Sequence, residues 1–269
     1  MKPLIDYYSS FDEWGRLERE PLEFFINWHY MMKYLPSQCH VLDNGAGPGK
    51  YSMALAKEGY RVTLSDVTPR LVETAQEKAA ELGIEGQFDG FHILNAVKLA
   101  GLMDNLYDAS LMLGPLYHLQ KEEERILAVS ELHRVTKPGG IVFVAFQSRM
   151  RMTLTSLQLP RHWRPHDSMD AIQAFRSSGV FNHADSGRFT SAYYFDLEEI
   201  TPFMESHGFQ TIQLIGSSSI GGLLSQEQII YWEERGDYPK LLDLLIELAQ
   251  DPSILGVSSH LLYIGLKNA

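Results

Sequence analysis

The chain has 269 residues, 23 of them Lys or Arg against 34 Asp or Glu, for a net charge of −11 at pH 7. Without a dense basic stripe it lacks the footprint that a nucleic-acid partner requires. Its single cysteine, Cys39, rules out an intramolecular disulfide and points to a reducing, cytoplasmic setting, and no run of about 18 apolar residues is available to cross a bilayer.

Residues 1–40 carry Tyr7, Tyr8, Phe11, Trp14, Phe24, Phe25, Trp28, Tyr30 and Tyr34. That aromatic density predicts one or two ordered helices, a cap over the mouth of whatever follows. The same segment can pack instead on a second copy of the chain, which leaves a homodimer open.

From Val41 an apolar run ends at Asp43-Asn44 and enters Gly45-Ala46-Gly47-Pro48-Gly49. Glycines at alternate positions let backbone lie directly against a ligand, because no Cβ intervenes. A helix is predicted from Lys50 to Glu58, stopped by Gly59. A second strand, Tyr60 to Leu64, leads to Ser65-Asp66 and places a carboxylate at its tip, where it can accept both hydroxyls of a ribose. A dinucleotide fingerprint needs a Gly or Ala at the sixth position counted from Gly45, and Lys50 stands there. A nicotinamide-dependent oxidoreductase is therefore disfavoured, though another nucleotide-dependent enzyme stays open.

Thr68-Pro69 opens the next helix, through Ala80, with Gly83 beyond it. Phe91 to Leu94 is a short strand with Asn95-Ala96 at its tip, and Tyr107 to Leu113 is a fourth, followed by Gly114-Pro115-Leu116-Tyr117-His118. Glu122 to Val135 has helical periodicity, Thr136-Lys137-Pro138-Gly139-Gly140 is a turn, and Ile141 to Phe146 is an apolar strand of the kind covered on both faces. Beyond it, 147–195 is too long for a simple connection and is expected to carry the substrate pocket. It holds His162, Trp163, His166, Phe175, Phe181, His183, Phe189, Tyr193 and Tyr194, which suit an aromatic lid. A metal site on the three histidines, with Asp167 or Asp185, is the weaker reading because Pro165 interrupts the i, i+4 pair. Arg149, Arg151, Arg161 and Arg164 are read as scattered cations of a solvated loop. Asp196 caps a helix ending at His207-Gly208, and Phe209 to Ile215 and His260 to Leu266 alternate as a closing strand pair, with a helix over Tyr238 to Gln250 between them.

In chain order, Asp43-x-Gly45-x-Gly47-x-Gly49, Asp66, the Asn95-Ala96 tip, the run after Leu113 and the Lys137-Pro138-Gly139-Gly140 turn resemble the motifs of class I S-adenosylmethionine-dependent methyltransferases, in the branch acting on small molecules. The resemblance covers roughly 41–146. It implies an α/β, Rossmann-like, seven-stranded mostly parallel sheet of order 3-2-1-4-5-7-6 with helices on both faces, plus an N-terminal helical cap and an inserted lid. It implies one domain: cap 1–40, cofactor core 41–146, lid 147–195, and a closing helix and hairpin in 196–269. S-adenosyl-L-methionine is the implied cofactor, held by Arg16, Asp43, Asn44, Gly45, Ala46, Gly47, Gly49, Asp66, Asn95, Ala96 and Leu113. The family usually has Asp where Asn95 stands, and an amide oxygen can still accept from an adenine amino group. Arg16 either reaches the methionine carboxylate or pairs with Glu13 or Glu20. His118 is the candidate base and Tyr117 the candidate orienting group for a small-molecule methyl acceptor, with a purely structural His118 equally open. No metal is implied, and a non-catalytic S-adenosylmethionine or S-adenosylhomocysteine binder is the alternative.

Overall fold

The computed structural model describes residues 2–10, 14–15, 21–184 and 191–268. Helix α1 (Lys2–Ser10) and α2 (Pro21–Tyr34) precede the strands β1 (His40–Asn44), β2 (Arg61–Asp66), β3 (Phe88–Ile93), β4 (Tyr107–Met112) and β5 (Thr136–Gln147). Between those strands lie α3 (Lys50–Lys57), α4 (Pro69–Glu81), the short α5 (Pro115–His118) and α6 (Glu122–Val135). The chain closes with β8 (Phe209–Gly216) and β9 (His260–Lys267).

These strands form one seven-stranded sheet, order β3-β2-β1-β4-β5-β9-β8. The first five run parallel, and β9 runs antiparallel to both β5 and β8. With the closing hairpin counted as strands six and seven, this is the order that the sequence motifs imply. Two apolar layers explain why the sheet is covered on both sides. Ile141 and Phe143 of β5 pack with Ile26, Tyr30 and Met31 of α2 and Leu55 of α3. Val142, Val144 and Phe146 pack on the other face with Ala128, Val129 and Leu132 of α6. The alternation within one all-apolar strand thus fills two cores. Helix α2 is accordingly a core helix, its Tyr30 hydroxyl donating to the Ile246 carbonyl at 2.9 Å.

Strand β3 starts three residues before the expected Phe91. It is the sheet edge, half exposed, so Asp89 and Gly90 are tolerated where a central strand would be apolar, and its pairing with β2 is irregular after Val62.

The insertion after β5 is built rather than loose. It contains α7 (Arg149–Gln158), α8 (Met169–Ser178) and a separate hairpin of β6 (Val180–Asn182) and β7 (Ser191–Tyr193). Its boundaries have local causes: the Ser148 hydroxyl accepts from Arg151 N at 3.1 Å, Ser168 caps α8 through Ala171 N, and Gly179 ends α8 at φ 69°. The next helix, α9 (Leu197–Ser206), has the expected Asp196 cap, strengthened by Glu199 in a capping box. The link between β8 and β9 carries α10 (Gln226–Glu234), α11 (Tyr238–Leu248) and α12 (Pro252–Leu255). No helix among the described residues is long and apolar enough to cross a membrane.

One expectation is overturned here. Arg149 is not a solvated loop cation but is buried, donating to Asp196 at 2.7 Å, to Glu199 at 3.1 Å and to the Tyr194 carbonyl at 2.9 Å. Sequence proximity to other arginines hid it, because its partners lie about 45 to 50 positions downstream. Arg151, on the same helix, is half-buried and donates to the Gly222 carbonyl at 3.0 Å, whereas Arg161 and Arg164 are exposed, as read.

Candidate functional site

The carboxyl ends of β1, β2, β4 and β5, with the start of β9, surround a cavity of about 400 Å³. Its floor begins at the turn after β1. Gly45, Gly47 and Gly49 all have positive φ, at 74°, 58° and 83°, so the alternate glycines answer a real backbone demand. The turn is fastened to β2: Gly45 N and Ala46 N both donate to the Ser65 carbonyl, at 2.7 and 3.0 Å. Gly47 N donates to Asp66 Oδ2 at 2.9 Å, and Thr68 N donates to Asp66 Oδ1 at 2.8 Å. Asp66 therefore ties the two turns together while lining the cavity. Burial raises its pKa, and the Thr68 and Gly47 N–H groups oppose that rise.

Asp43 lies beneath the turn, 2% exposed, accepting the Ser52 hydroxyl of α3 at 2.6 Å. Burial lifts its pKa from 3.8 to about 6. An acid whose folded pKa is raised stabilises the fold below its unfolded value and loses that stability as pH climbs through the folded one. Asp43→Asn should therefore raise the unfolding temperature at pH 8, by on the order of 1–2 kcal/mol of stability, with the gain vanishing near pH 4. Thermal unfolding of both proteins across that range checks it, and equal midpoints for the variant and the unaltered protein at pH 8 would refute it.

The other candidates sort as follows. Asn44, Ala46, Ala96, Asn95 and Leu113 line the cavity with Gly45, Gly47, Asp43 and Asp66. Asn95 Oδ1 accepts from Val97 N at 3.2 Å, so the amide also shapes its own turn. Gly49 does not line the cavity. A Cβ there would meet Leu64 at 2.8 Å and Met53 at 3.3 Å, which makes it a helix-to-strand packing glycine. Arg16 lies outside the described residues, as do Glu13 and Glu20.

Does this half of the cavity fit an adenosyl group with an amino-acid tail? Asn44 Nδ2 is buried with no hydrogen-bond partner among the described residues, a donor awaiting an acceptor. A carboxylate at the tip of β2, a glycine cradle and the apolar walls Val67, Leu71 and Leu94 complete the match.

The remaining half is aromatic and imidazole-rich. Tyr117 and His118 lie on α5, directly after β4, and both line the cavity with Trp163 and Tyr194 of the insertion and Tyr7 and Tyr8 of α1. His118 is held between helices: its Nε2 lies 3.1 Å from the Tyr8 hydroxyl. Burial pulls its pKa down to about 4, aided by the nearby His260, so the ring is neutral at pH 7. Three further residues carry no signal in the sequence. Glu23 Oε2 lies 3.1 Å from His260 Nδ1, and Gln147 Nε2 lies 3.3 Å from His260 Nε2. They come from α2, β5 and β9; only the antiparallel register that sets Gln147 opposite His260 could have announced part of the group.

The insertion histidines do not converge. His166 Nδ1 pairs with the Ser156 hydroxyl at 2.7 Å, His183 Nε2 contacts the His162 carbonyl at 3.2 Å, and 162–166 is a turn rather than a helix. No group of residues able to hold a metal ion occurs among the described residues; Asp185 and Phe189 fall outside them.

Comparison with known proteins places this geometry. Residues 41–140 match a family model described as a methyltransferase domain. A protein of unassigned function from Mycobacterium tuberculosis is 32% identical over 136 residues, 48% of this chain and 45% of that one. A ubiquinone biosynthesis O-methyltransferase from Caulobacter vibrioides is 31% identical over 121 residues, 45% and 44% of the two chains. The aligned stretch thus spans about half the length of these curated relatives. Among solved structures, an S-adenosylmethionine-dependent methyltransferase from Methanosarcina mazei superposes with a TM-score of 0.60 at 18% identity, covering 89% of this chain and 97% of that one.

Proposed function

We propose that the protein transfers a methyl group from S-adenosylmethionine to a small organic molecule by in-line displacement, a reading supported by the match of residues 41–140 to a methyltransferase-domain family model and by a fold similar to that of a solved S-adenosylmethionine-dependent methyltransferase. The observation that carries the reading is the continuity of one cavity, from Asp66 and the glycine turn to Tyr117, His118, Trp163 and Tyr194. An adenosyl half and an aromatic half in one space are what a two-substrate transfer requires.

A sulfonium methyl brings its own electrophile, so the protein's task is to bind, align and keep water away. In this reading Asp66 accepts the ribose hydroxyls, Asn44 Nδ2 and the turn's backbone meet the polar tail, and Asn95, Ala96 and Leu113 border the base. Tyr117 and the aromatic walls orient the acceptor. The acidic surface and the absence of a basic stripe favour a small acceptor over a nucleic acid.

Isothermal titration with S-adenosylmethionine, S-adenosylhomocysteine and NAD in parallel tests the cofactor. Binding of the first two alone is expected; binding of NAD alone would overturn the reading. Asp66→Ala is expected to weaken S-adenosylmethionine by about 1–3 kcal/mol, the range for a lost hydrogen bond to a charged group. An unchanged dissociation constant would remove Asp66 from the ribose contact.

A further inference from the structure

In strand order, β1, β4 and β5 separate Asp66 on β2 from His260 on β9, so His260 stands at the acceptor end of the cavity. Its two ring nitrogens face chemically opposite neighbours. Nδ1 is 3.1 Å from the Glu23 carboxylate, which can only accept when ionised, and Nε2 is 3.3 Å from the Gln147 amide nitrogen, which can only donate. Both contacts are met at once when Nδ1 carries the proton and Nε2 presents its lone pair. That is the arrangement of an imidazole base with a carboxylate behind it. With the Gln147 amide nitrogen turned toward the ring, the alternative tautomer would set N–H against N–H.

Resting on the methyl-transfer reading above, we propose that His260, oriented by Glu23, takes the proton from a methyl acceptor that bears a hydroxyl on an aromatic ring. The ring follows from the walls, Tyr7, Tyr8, Tyr117, Trp163 and Tyr194. The hydroxyl follows from the base: a neutral aromatic amine attacks through a lone pair it already has, whereas a phenol, with a pKa of about 10, is a weak nucleophile until its proton leaves. His118 serves this role less well, since its Nε2 is engaged by Tyr8 and burial holds its pKa to about 4.

In the step, the acceptor hydroxyl replaces the Gln147 N–H at His260 Nε2. The O–H bond breaks and its proton passes to Nε2, while an oxygen lone pair forms the new O–CH₃ bond. The S–CH₃ bond breaks with both electrons left on sulfur. The positive charge lost at sulfur is balanced by the imidazolium, which sits against Glu23 and returns its proton to solvent. The products are an aryl methyl ether and S-adenosylhomocysteine. Among the described residues, the groups facing the ring include Glu23 from α2, Gln147 from β5, and Tyr117 and His118 from α5. Of these, only Glu23 is negatively charged near neutrality.

The test uses the full chain, methyl-labelled S-adenosylmethionine, and two probe sets: catechol, 1-naphthol and 4-hydroxybenzoate against aniline and 2-aminopyridine. A hydroxyl probe is expected to be methylated. His260→Gln should lower kcat by about 10²–10⁴-fold with KM and the cofactor dissociation constant within about threefold. Glu23→Gln should lower kcat less and move the acid limb of the kcat profile to lower pH, because the imidazolium loses its carboxylate. Long-range proton–nitrogen spectra of histidine-labelled protein with S-adenosylhomocysteine should show His260 protonated at Nδ1. The assignment is overturned if His260→Gln keeps kcat within threefold, if Nε2 carries the proton, or if a protein that binds S-adenosylmethionine methylates no hydroxyl probe. Failure of the unaltered protein to bind S-adenosylmethionine removes the methyl-transfer reading itself, and this assignment with it.

Discussion

Replacing Gly45 by alanine is expected to weaken S-adenosylmethionine binding at least about 100-fold. Two costs coincide there. The residue sits at φ 74°, where a side chain is strained by about 1–3 kcal/mol. A Cβ would also fall on the ring of Pro115, adding an overpacking cost of about 1–3 kcal/mol unless the backbone moves. Movement is no escape, because Gly45 N and Ala46 N are both bound to the Ser65 carbonyl and Pro115 opens the helix carrying Tyr117 and His118. Relief of the clash therefore displaces either the cofactor turn or the acceptor wall. Gly49→Ala is the instructive contrast. Its Cβ meets Leu64, Met53 and Ala75, away from the cavity, so it should lower the unfolding temperature while the folded protein keeps its affinity. Titration calorimetry beside thermal unfolding separates the two, and a Gly45→Ala protein that binds normally would mean that the turn does not face the ligand.

The contrast between these glycines marks what can be read from residue order. That the turn needs glycines was legible, since alternate glycines after an apolar strand have few other uses. Which one approaches a ligand and which packs a helix was not, because Gly49 is decided by Leu64, Met53 and Ala75, and only Met53 is close to it in sequence. The same division runs through the site. Asp43, Asp66 and Asn95 were identifiable because each stands at or just beyond the end of a strand in a repeating β–α unit, where local pattern and spatial position coincide. Glu23 and His260 were not, since 237 positions of chain separate them and neither has a distinctive neighbour. The insertion after β5 was recognisable by length and aromatic content alone. Its helices follow from Ser148, Ser168 and Gly179, signals that are plain once a long loop is no longer assumed.

Arg149→Ala is expected to cost about 3 kcal/mol of stability, by removing one guanidinium from five partners. The side chain reaches Asp196, Glu199, Tyr193 and the carbonyls of Tyr194 and Arg176, and so bolts α7 to the β6–β7 hairpin and to the start of α9. Asp196 and Glu199 are about a third and two-fifths exposed, so water compensates them in part, while the Tyr194 carbonyl is left without its donor. The damage should be local first, because the seven-stranded sheet has its own two apolar layers and makes few contacts that depend on this arginine. Limited proteolysis should cut within 149–184 well before the core, S-adenosylmethionine should still bind, and acceptor turnover should fall, because Trp163 and Tyr194 belong to the loosened wall. Arg149→Lys should recover little of this, since a single ammonium cannot reproduce a planar fork that spans three elements. An Arg149→Ala protein with wild-type protease resistance and unfolding temperature would show instead that the insertion is held by its own aromatic cluster of Phe175, Phe181 and Tyr194, and that the guanidinium network is dispensable.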